Sequence, residues 1–585
     1  MGERMRKLLI YLKGYRLESV LAPVFKLLEA AMELTVPLIV ASMIDRGIAD
    51  SDSPHVVKMS LLLVAFGAVG LFFTLIAQYF AAKASVGFAS RLKHALFAHI
   101  QTFSYKELDD VGTSTLVTRM TSDMNQVQTG LNLTLRLLLR SPFIVFGAML
   151  MALTIDLPTA LVFVFIIPFL FLAVFAVMLA CIPLYKKVQG ILDRVVSRVR
   201  QNIRGVRVIR AFGREKEELT GFCGENGELT GMQKRVGRIS ALLNPLTYVL
   251  INLAVILLIR QGALRVDSGA MTQGQVVAMY NYMSQILIEL IKFANLIINM
   301  TKSVACAKRI GDALDIKGSE EEVLQEQAYE HVADPSQGAS IEFRHVSFRY
   351  HEGSADALSD LTFTLDPGET VGIIGGTGAG KSTLVNLIPR FYEPTEGQVL
   401  IDGADVADLP LSHLRGKIGI VPQKAILFSG TLADQVRFGK SDATDEEIIE
   451  AMKSAQAADV SAAREEGLSA EVSYGGSNFS GGQRQRLTIA RALVRKPSIL
   501  IFDDSSSALD FATDARLRKE IKSMQGNATV LLVSQRTSSI RHADKIIVLE
   551  DGRAVGIGTH ESLLESCEVY REIHHSQFEE GGDDK

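Results

Sequence analysis

The run MSLLLVAFGAVGLFFTLIAQYFAA, residues 59–82, carries no charge over 24 positions, and it restricts this chain more than any other feature. About 20 apolar residues in a helix cross the hydrocarbon core of a bilayer. A charge-free run of this length has no ready place in a water-soluble bundle. Five further apolar stretches lie near 18–44, 138–156, 158–182, 241–263 and 274–300. Six membrane-spanning helices are therefore predicted, the third and fourth joined by the tight turn around TIDLPT. All six lie within the first 300 residues. That concentration explains a hydrophobic share of 48% and a mean hydropathy of +0.21, both high for a soluble protein.

Lysine and arginine crowd the N-terminus and the two long connections, 83–137 and 183–240, while the short connections carry fewer. The positive-inside rule then puts both termini and both long connections on the cytoplasmic side of a cell membrane, in a multi-pass topology. The basic start MGERMRKLLIYLKGYR is followed by no short apolar region with a small-residue cleavage site, so no cleaved signal is expected. A net charge of −4 gives no support to a nucleic-acid partner. Cys181, Cys223, Cys306 and Cys567 are too scattered for a zinc site or a disulfide framework and are expected to be idle thiols.

A chain of 585 residues needs more than one domain. Residues 1–315 form the predicted membrane domain, with two polar, helical cytoplasmic extensions. Residues 316–338, acidic and then Pro/Gly-bearing, read as a linker. From 339 to 585, short β-rich runs alternate with helical segments, as in an α/β domain.

Within that domain, VGIIGGTGAGKST (371–383) follows a strand-like run and opens a helical one. Gly375, Gly380, Lys381 and Ser382 satisfy the G-x-x-x-x-G-K-[ST] spacing, and Gly376, Thr377, Gly378, Ala379 and Thr383 complete the loop. Glycines let successive backbone N–H groups turn toward phosphates at a helix start. Lys381 is predicted to reach the β- and γ-phosphates and Ser382 to ligate Mg2+. The site is therefore one for a nucleoside triphosphate. Downstream, the apolar strand in LIFDDSSSALD (500–510) places Asp503 for a water-mediated Mg2+ contact. Asp504 follows where a water-positioning carboxylate belongs.

The segment NFSGGQRQRLTIARALVRKPSILIFDDSSSALD (478–510) resembles the signature region of ATP-binding cassette (ABC) proteins. The whole chain resembles half of an ABC exporter: an α-helical membrane domain of six transmembrane helices fused to an α/β P-loop ABC ATPase domain with a helical subdomain. The resemblance implies a second half-transporter as partner and two ATP molecules sandwiched head to tail. It implies that Tyr350 stacks on adenine and that Gln423 senses γ-phosphate and Mg2+. Ser480, Gly481, Gly482 and Gln483 match the signature that faces the partner's ATP, with Phe479 in place of the usual leucine, and Asp510 matches the residue that contacts the opposite cassette. A small amphipathic or multidrug-type substrate is implied by association.

Two positions depart from the family. Asp504 stands where a glutamate is usual, and Gln535, in LLVSQRTSSIRHADKIIVLEDG, where a histidine is usual. Aspartate is shorter by one methylene, about 1.5 Å of reach, and a misplacement of about 1 Å can cost on the order of a hundredfold in rate. Gln535 can hydrogen-bond a phosphate but carries no proton or positive charge. With Gln423 these are the candidate catalytic residues, and the expectation is a weakened site in one subunit of a heterodimer. Two alternatives are a homodimeric exporter that hydrolyses slowly through Asp504 and a regulatory or channel-like membrane subunit.

Two polar stretches, 112–126 and 205–219, resemble the family's coupling helices. In the membrane part, Glu29 and Glu33 share a helix face, and Glu289 and Lys292, three apart, are placed to pair. Acidic groups at membrane depth face a cavity or a partner, which leaves two readings: contact with a cationic substrate, or bonds between helices. Asn281, Tyr282 and Gln285 make the last span partly polar. His574 and His575, beside the acidic tail, are expected at a frayed end.

Overall fold

Residues 8–318, 320, 338–351, 353–505, 509–523 and 528–578 are described in a computed structural model of the chain. Among the described residues, six helices are long and apolar enough to cross a membrane: α1 (Leu9–Ile48), α2 (Ser53–Ile100), α4 (Thr113–Ile155), α5 (Leu157–Arg204), α6 (Glu215–Asp267) and α7 (Gln273–Leu314). A short helix, α3 (Tyr105–Val111), lies between α2 and α4. The predicted number of spans holds, as does the tight turn between the third and fourth. The helices α2 and α5, of 48 residues each, extend to about 72 Å, more than twice a bilayer core of about 30 Å.

The chain divides into two compact units. The first comprises the chain up to Ala98 and Ser114–Ile316, and the second His99–Thr113 and the chain from Lys317. In the first unit, Ala30 and Leu34 of α1, Ile144, Ala148 and Ala152 of α4, and Met279, Met283 and Ile286 of α7 form a buried core. Alanines at these contacts let the backbones approach closely, as packing within lipid requires. Leu61, Val64, Leu71 and Phe72 of α2 are exposed, a lipid-compatible surface. Two acidic residues pin the short turns. The Asp156 carboxylate accepts from the Thr159 N–H at 3.1 Å, which starts α5, and from Arg265 at 2.6 Å. That of Asp45 accepts from the Thr272 hydroxyl at 2.5 Å and the Gly274 N–H at 2.7 Å, beside the start of α7.

In the second unit, β1 (Ile341–Phe348), β2 (Leu358–Leu365), β4 (Glu396–Ile401) and the two-residue β5 (Ala404–Asp405) form an antiparallel sheet in the order β2-β1-β4-β5. A second sheet is built from β3 (Thr370–Gly375), β6 (Ile418–Val421), β7 (Ile499–Asp503), β8 (Thr529–Val533), β9 (Lys545–Glu550) and β10 (Arg553–Gly558). Its order is β10-β9-β3-β8-β7-β6, parallel except for β10 at one edge. The central strands β3 and β7 are buried along almost their whole length, which is why they read as unbroken apolar runs. Ile341, Phe343, Ile373, Leu384, Ile501 and Leu531 belong to the core shared by the two sheets. A helical part, including Leu432–Arg437, Asp445–Ser454 and α9 (Gly481–Leu493), packs around Leu432, Ile448, Phe479 and Leu487.

The predicted linker 316–338 lies mostly outside the described residues. Of its described members, Glu320 is fixed within the second unit. Its N–H donates to the Thr102 carbonyl at 3.0 Å, and its carboxylate takes both terminal nitrogens of Arg415, at 2.7 and 2.8 Å. The stretch expected to couple, 112–126, begins where α3 ends, and from Ser114 it belongs to the first unit. The segment that packs on the bend before β4, Phe391 and Tyr392, is α3 itself. The Tyr105 ring stacks on Phe391 at 4.4 Å, and the Tyr392 hydroxyl donates to Asp109 at 2.7 Å. The stretch 205–219 folds within the first unit as the short helix Val206–Ala211 and the start of α6. His574 and His575 lie on the helix Glu568–Phe578 rather than on a frayed end, with His574 3.3 Å from the Thr537 hydroxyl.

Candidate functional site

The centre of the second unit is the turn from β3 into α8 (Lys381–Leu387). Gly378 and Gly380 take φ of +86° and +95°, where a side chain would strain the backbone. At Gly375 a Cβ would meet the Leu549 carbonyl oxygen at 2.2 Å, so that glycine is required by close packing. Lys381 is buried, and its ammonium arches back to donate to the carbonyls of Gly375 and Gly376 at 2.8 and 2.6 Å. Burial pushes its pKa down, against the pull of Asp504 and Asp503.

Because β7 lies in the sheet beside β8, which is paired with β3, it brings its tip to the same loop. The Ser382 hydroxyl donates to Asp503 Oδ1 at 2.9 Å. Burial raises the Asp503 carboxyl, opposed by that hydrogen bond. A hydroxyl and a carboxylate in contact are hard oxygen donors suited to Mg2+, which completes its shell with phosphate oxygens and water. The two residues therefore fit that ion.

Asp504 follows with φ of +45°, in the left-handed region that few side chains other than Asp and Asn adopt. Its N–H donates to the Val533 carbonyl at 3.0 Å, and its Oδ2 accepts from the Gln423 amide at 3.3 Å. Gln535, exposed, lies just beyond β8, and its carbonyl accepts from the Gln577 amide at 2.7 Å. Tyr350 is part-exposed beside the loop, its hydroxyl 2.9 Å from that of Thr383. The residues 375–383, 503, 504, 423 and 350 thus gather around one turn.

The segment 480–483 is a separate place. Ser480 caps α9: its oxygen accepts from the Gln483 N–H at 3.3 Å while the Gln483 side chain accepts from the Ser480 N–H at 3.0 Å. Among the described residues no hydrogen bond links this cap to the 375–383 loop. Phe479 is buried with the Arg464 guanidinium 4.2 Å over its ring, so the unusual aromatic serves as an anchor beneath an exposed cap. Asp510 caps the helix α10 (Phe511–Ser523), accepting from the Thr513 N–H at 2.8 Å and its hydroxyl at 3.0 Å. Those bonds hold its carboxyl below the usual range.

Sequence reasoning missed the supports. The Tyr392 ring meets Tyr350 edge-on at 5.3 Å while its hydroxyl reaches Asp109. Gln577 accepts from the N–H and the hydroxyl of Thr537, at 2.9 and 3.0 Å, and so fastens the loop of Gln535 to the C-terminal helix. Arg491 braces the stretch after Gln423, donating to the carbonyls of Ile426 and Gln435 at 3.0 and 2.9 Å. Only the aromatic pair in RFYEP offered any signal beforehand.

Comparison with known proteins agrees with this geometry. Residues 19–290 match the ABC transporter transmembrane region family, and residues 358–507 the ABC transporter family. The chain is 36% identical over 576 residues to an uncharacterised ABC transporter ATP-binding protein of Bacillus subtilis (strain 168), covering 98% of this chain and 99% of that protein. It is 29% identical to an ATP-dependent lipid A-core flippase of Chromobacterium violaceum, over 98% and 97% of the two chains. The structure of a bacterial Atm1-family ABC exporter with ATP bound superposes with a TM-score of 0.78 at 24% identity, covering 96% of this chain and 98% of that one.

Proposed function

This chain belongs to the ABC transporter family, a transporter transmembrane region fused to an ABC ATPase, and from that premise we propose the part it plays in an ATP-driven exporter. It works as one half of a heterodimer in which its own ATP site turns over slowly and its 480–483 segment completes a faster site on the partner. The observation that carries this reading is Asp504. Read as the water-positioning carboxylate, it has a side chain one methylene short, on a backbone in the left-handed region, next to the amide of Gln423.

The chemistry follows from the residues. The loop 375–383 offers backbone N–H groups and the Lys381 ammonium to the phosphates of ATP. Ser382 and Asp503 would hold Mg2+, which neutralises charge on the β- and γ-phosphates when bound. Asp504 accepts a hydrogen bond from the attacking water but holds it off the line of attack, and Gln535 supplies a hydrogen bond without a charge. The aligned N–H groups at the start of α9, with the Ser480 hydroxyl, suit an incoming phosphate from another chain. The lysine and arginine distribution supports placing the ATPase unit and both termini in the cytoplasm. Six spans rich in exposed apolar surface, and a relative named as a lipid A-core flippase, support an amphipathic substrate.

The test is the ATPase rate of the assembled transporter. Ser480→Asn keeps a helix cap but removes the hydroxyl, and it should lower activity far more than Asp504→Asn. Equal losses, or the reverse order, would refute the asymmetric assignment and favour a homodimer hydrolysing through Asp504.

A further inference from the structure

Six ionisable side chains meet among α1, α4 and α7. Arg140, only 7% exposed, donates to Glu289 at 2.6 Å and to Glu33 at 2.7 Å, and lies 3.7 Å from Glu29. Glu289, 3% exposed, also accepts from Ser141 at 2.9 Å and from Lys292 at 2.8 Å, and Glu29 pairs with Lys26. Three cations thus face three carboxylates, with no net charge.

The members are not equally enclosed. Arg140 and Glu289 form the buried centre, whereas Glu33 is 39% exposed and Lys292 is 45% exposed. Along the contacts through Arg140 and Glu289, these two open groups lie within about 10 Å of each other. That is the reach of a small dipolar group hydrogen-bonded at both ends. Two buried atoms here, Arg140 Nε and Gln285 Oε1, have no hydrogen-bond partner among the described residues, Gln285 lying one turn from Glu289 on α7. Arg140 is 16 residues from Asp156 and Glu289 15 from Gly274, so the cluster lies about 22–24 Å from the short-turn end of the helices. In a core of about 30 Å this is close to the opposite leaflet's head groups.

We propose that Glu33 and Lys292, set on either side of the buried Arg140–Glu289 bridge, form a substrate subsite for a zwitterionic head group, its ammonium on Glu33 and its phosphate or carboxylate on Lys292. A singly charged ligand would bring an uncompensated charge to a neutral cluster at membrane depth, where that is costly, and a zwitterion would not. The subsite rests on the exporter reading and names the substrate class for it.

The test uses the assembled full-length transporter in vesicles containing acyl-labelled phosphatidylethanolamine or phosphatidylglycerol. ATP-dependent translocation of phosphatidylethanolamine is expected to be the faster by about tenfold, the size of one hydrogen-bonded charge contact. Glu33→Gln and Lys292→Met should each lower that rate, and the phosphatidylethanolamine retained by detergent-purified protein without ATP, by a similar factor, with lipid-independent ATPase within about twofold. Lys292→Arg, which keeps the cation, should restore both readouts and so separates the site from simple misfolding. Competition by soluble glycerophosphoethanolamine would assign the head group alone as ligand, and lack of competition the whole lipid; either outcome upholds the subsite. Preference for phosphatidylglycerol, or retention and translocation indifferent to both substitutions, overturns it. Selective retention without ATP-driven translocation would leave the subsite standing and sink the exporter reading.

Discussion

The Ser382 hydroxyl donates to the Asp503 carboxylate at 2.9 Å although 121 positions of chain separate them. The contact exists because β7 reaches the β3 loop through β8, and burial there raises the Asp503 carboxyl. For an acid with a raised native pKa, the folded state holds more protons than the unfolded one between the two values, so stability falls as pH rises through that window and stays reduced above it. Asp503→Asn is therefore expected to raise the nucleotide-free unfolding midpoint of the full chain at pH 7 by a few degrees at most. The gain should vanish well below the ordinary carboxylate range, and Mg2+-dependent hydrolysis at this chain's own site should be lost. Thermal scans against pH check the first, and ATPase assays with the partner's site disabled check the second.

If the asymmetric reading holds, restoring reach and charge at this chain's own site should restore turnover. Asp504→Glu with Gln535→His is expected to raise hydrolysis at this chain's own site on the order of a hundredfold. The measurement is ATPase activity with the partner's phosphate-loop lysine disabled. An unchanged rate would mean that the left-handed backbone at Asp504, rather than side-chain length, is limiting.

The Tyr392 hydroxyl ties the bend before β4 to α3 at Asp109, and its ring touches Tyr350. Tyr392→Phe removes the hydroxyl and keeps the ring. It should leave the KM for ATP within about twofold while lowering transport per ATP hydrolysed, since one hydrogen bond to a charged group is worth about 1.5–3 kcal/mol. Tyr392→Leu should also raise the KM. The KM and the transport-to-hydrolysis ratio separate the two effects.

Arg140→Leu leaves the Glu289 carboxylate buried without its main counter-charge, a change that costs about 3–5 kcal/mol in comparable sites. Folded yield and melting temperature should drop sharply. Adding Glu289→Gln to Arg140→Leu should recover most of the loss, a coupling that a double-mutant cycle reads directly.

What was legible beforehand was whatever rests on local pattern. The 59–82 run announced a span because no soluble helix tolerates it, and the 375–383 loop announced a phosphate site because its glycines answer to backbone geometry within nine residues. The pairing of Glu289 with Lys292 was visible for the same reason, being one turn apart. Arg140 was not, because 107 and 149 positions separate it from Glu33 and Glu289 and only the packing of three helices joins them. The two glutamates consequently stayed between contact with a cation and bonds between helices; in the fold Glu29 pairs with Lys26, and Glu33 bonds Arg140 while staying 39% exposed. The contact made by α3 was not legible for a related reason: several polar helical turns follow one another there, and nothing in their composition says which one the bend before β4 will receive.

The serine at the head of α9 does two things with one side chain on the reading proposed above. Its oxygen is already engaged as an acceptor, so the one proton it owns remains to be given away, and the helix holds that proton at its exposed tip. On the asymmetric reading, a subunit whose own reaction is slow would stay indispensable through a proton whose oxygen it uses only as a helix cap.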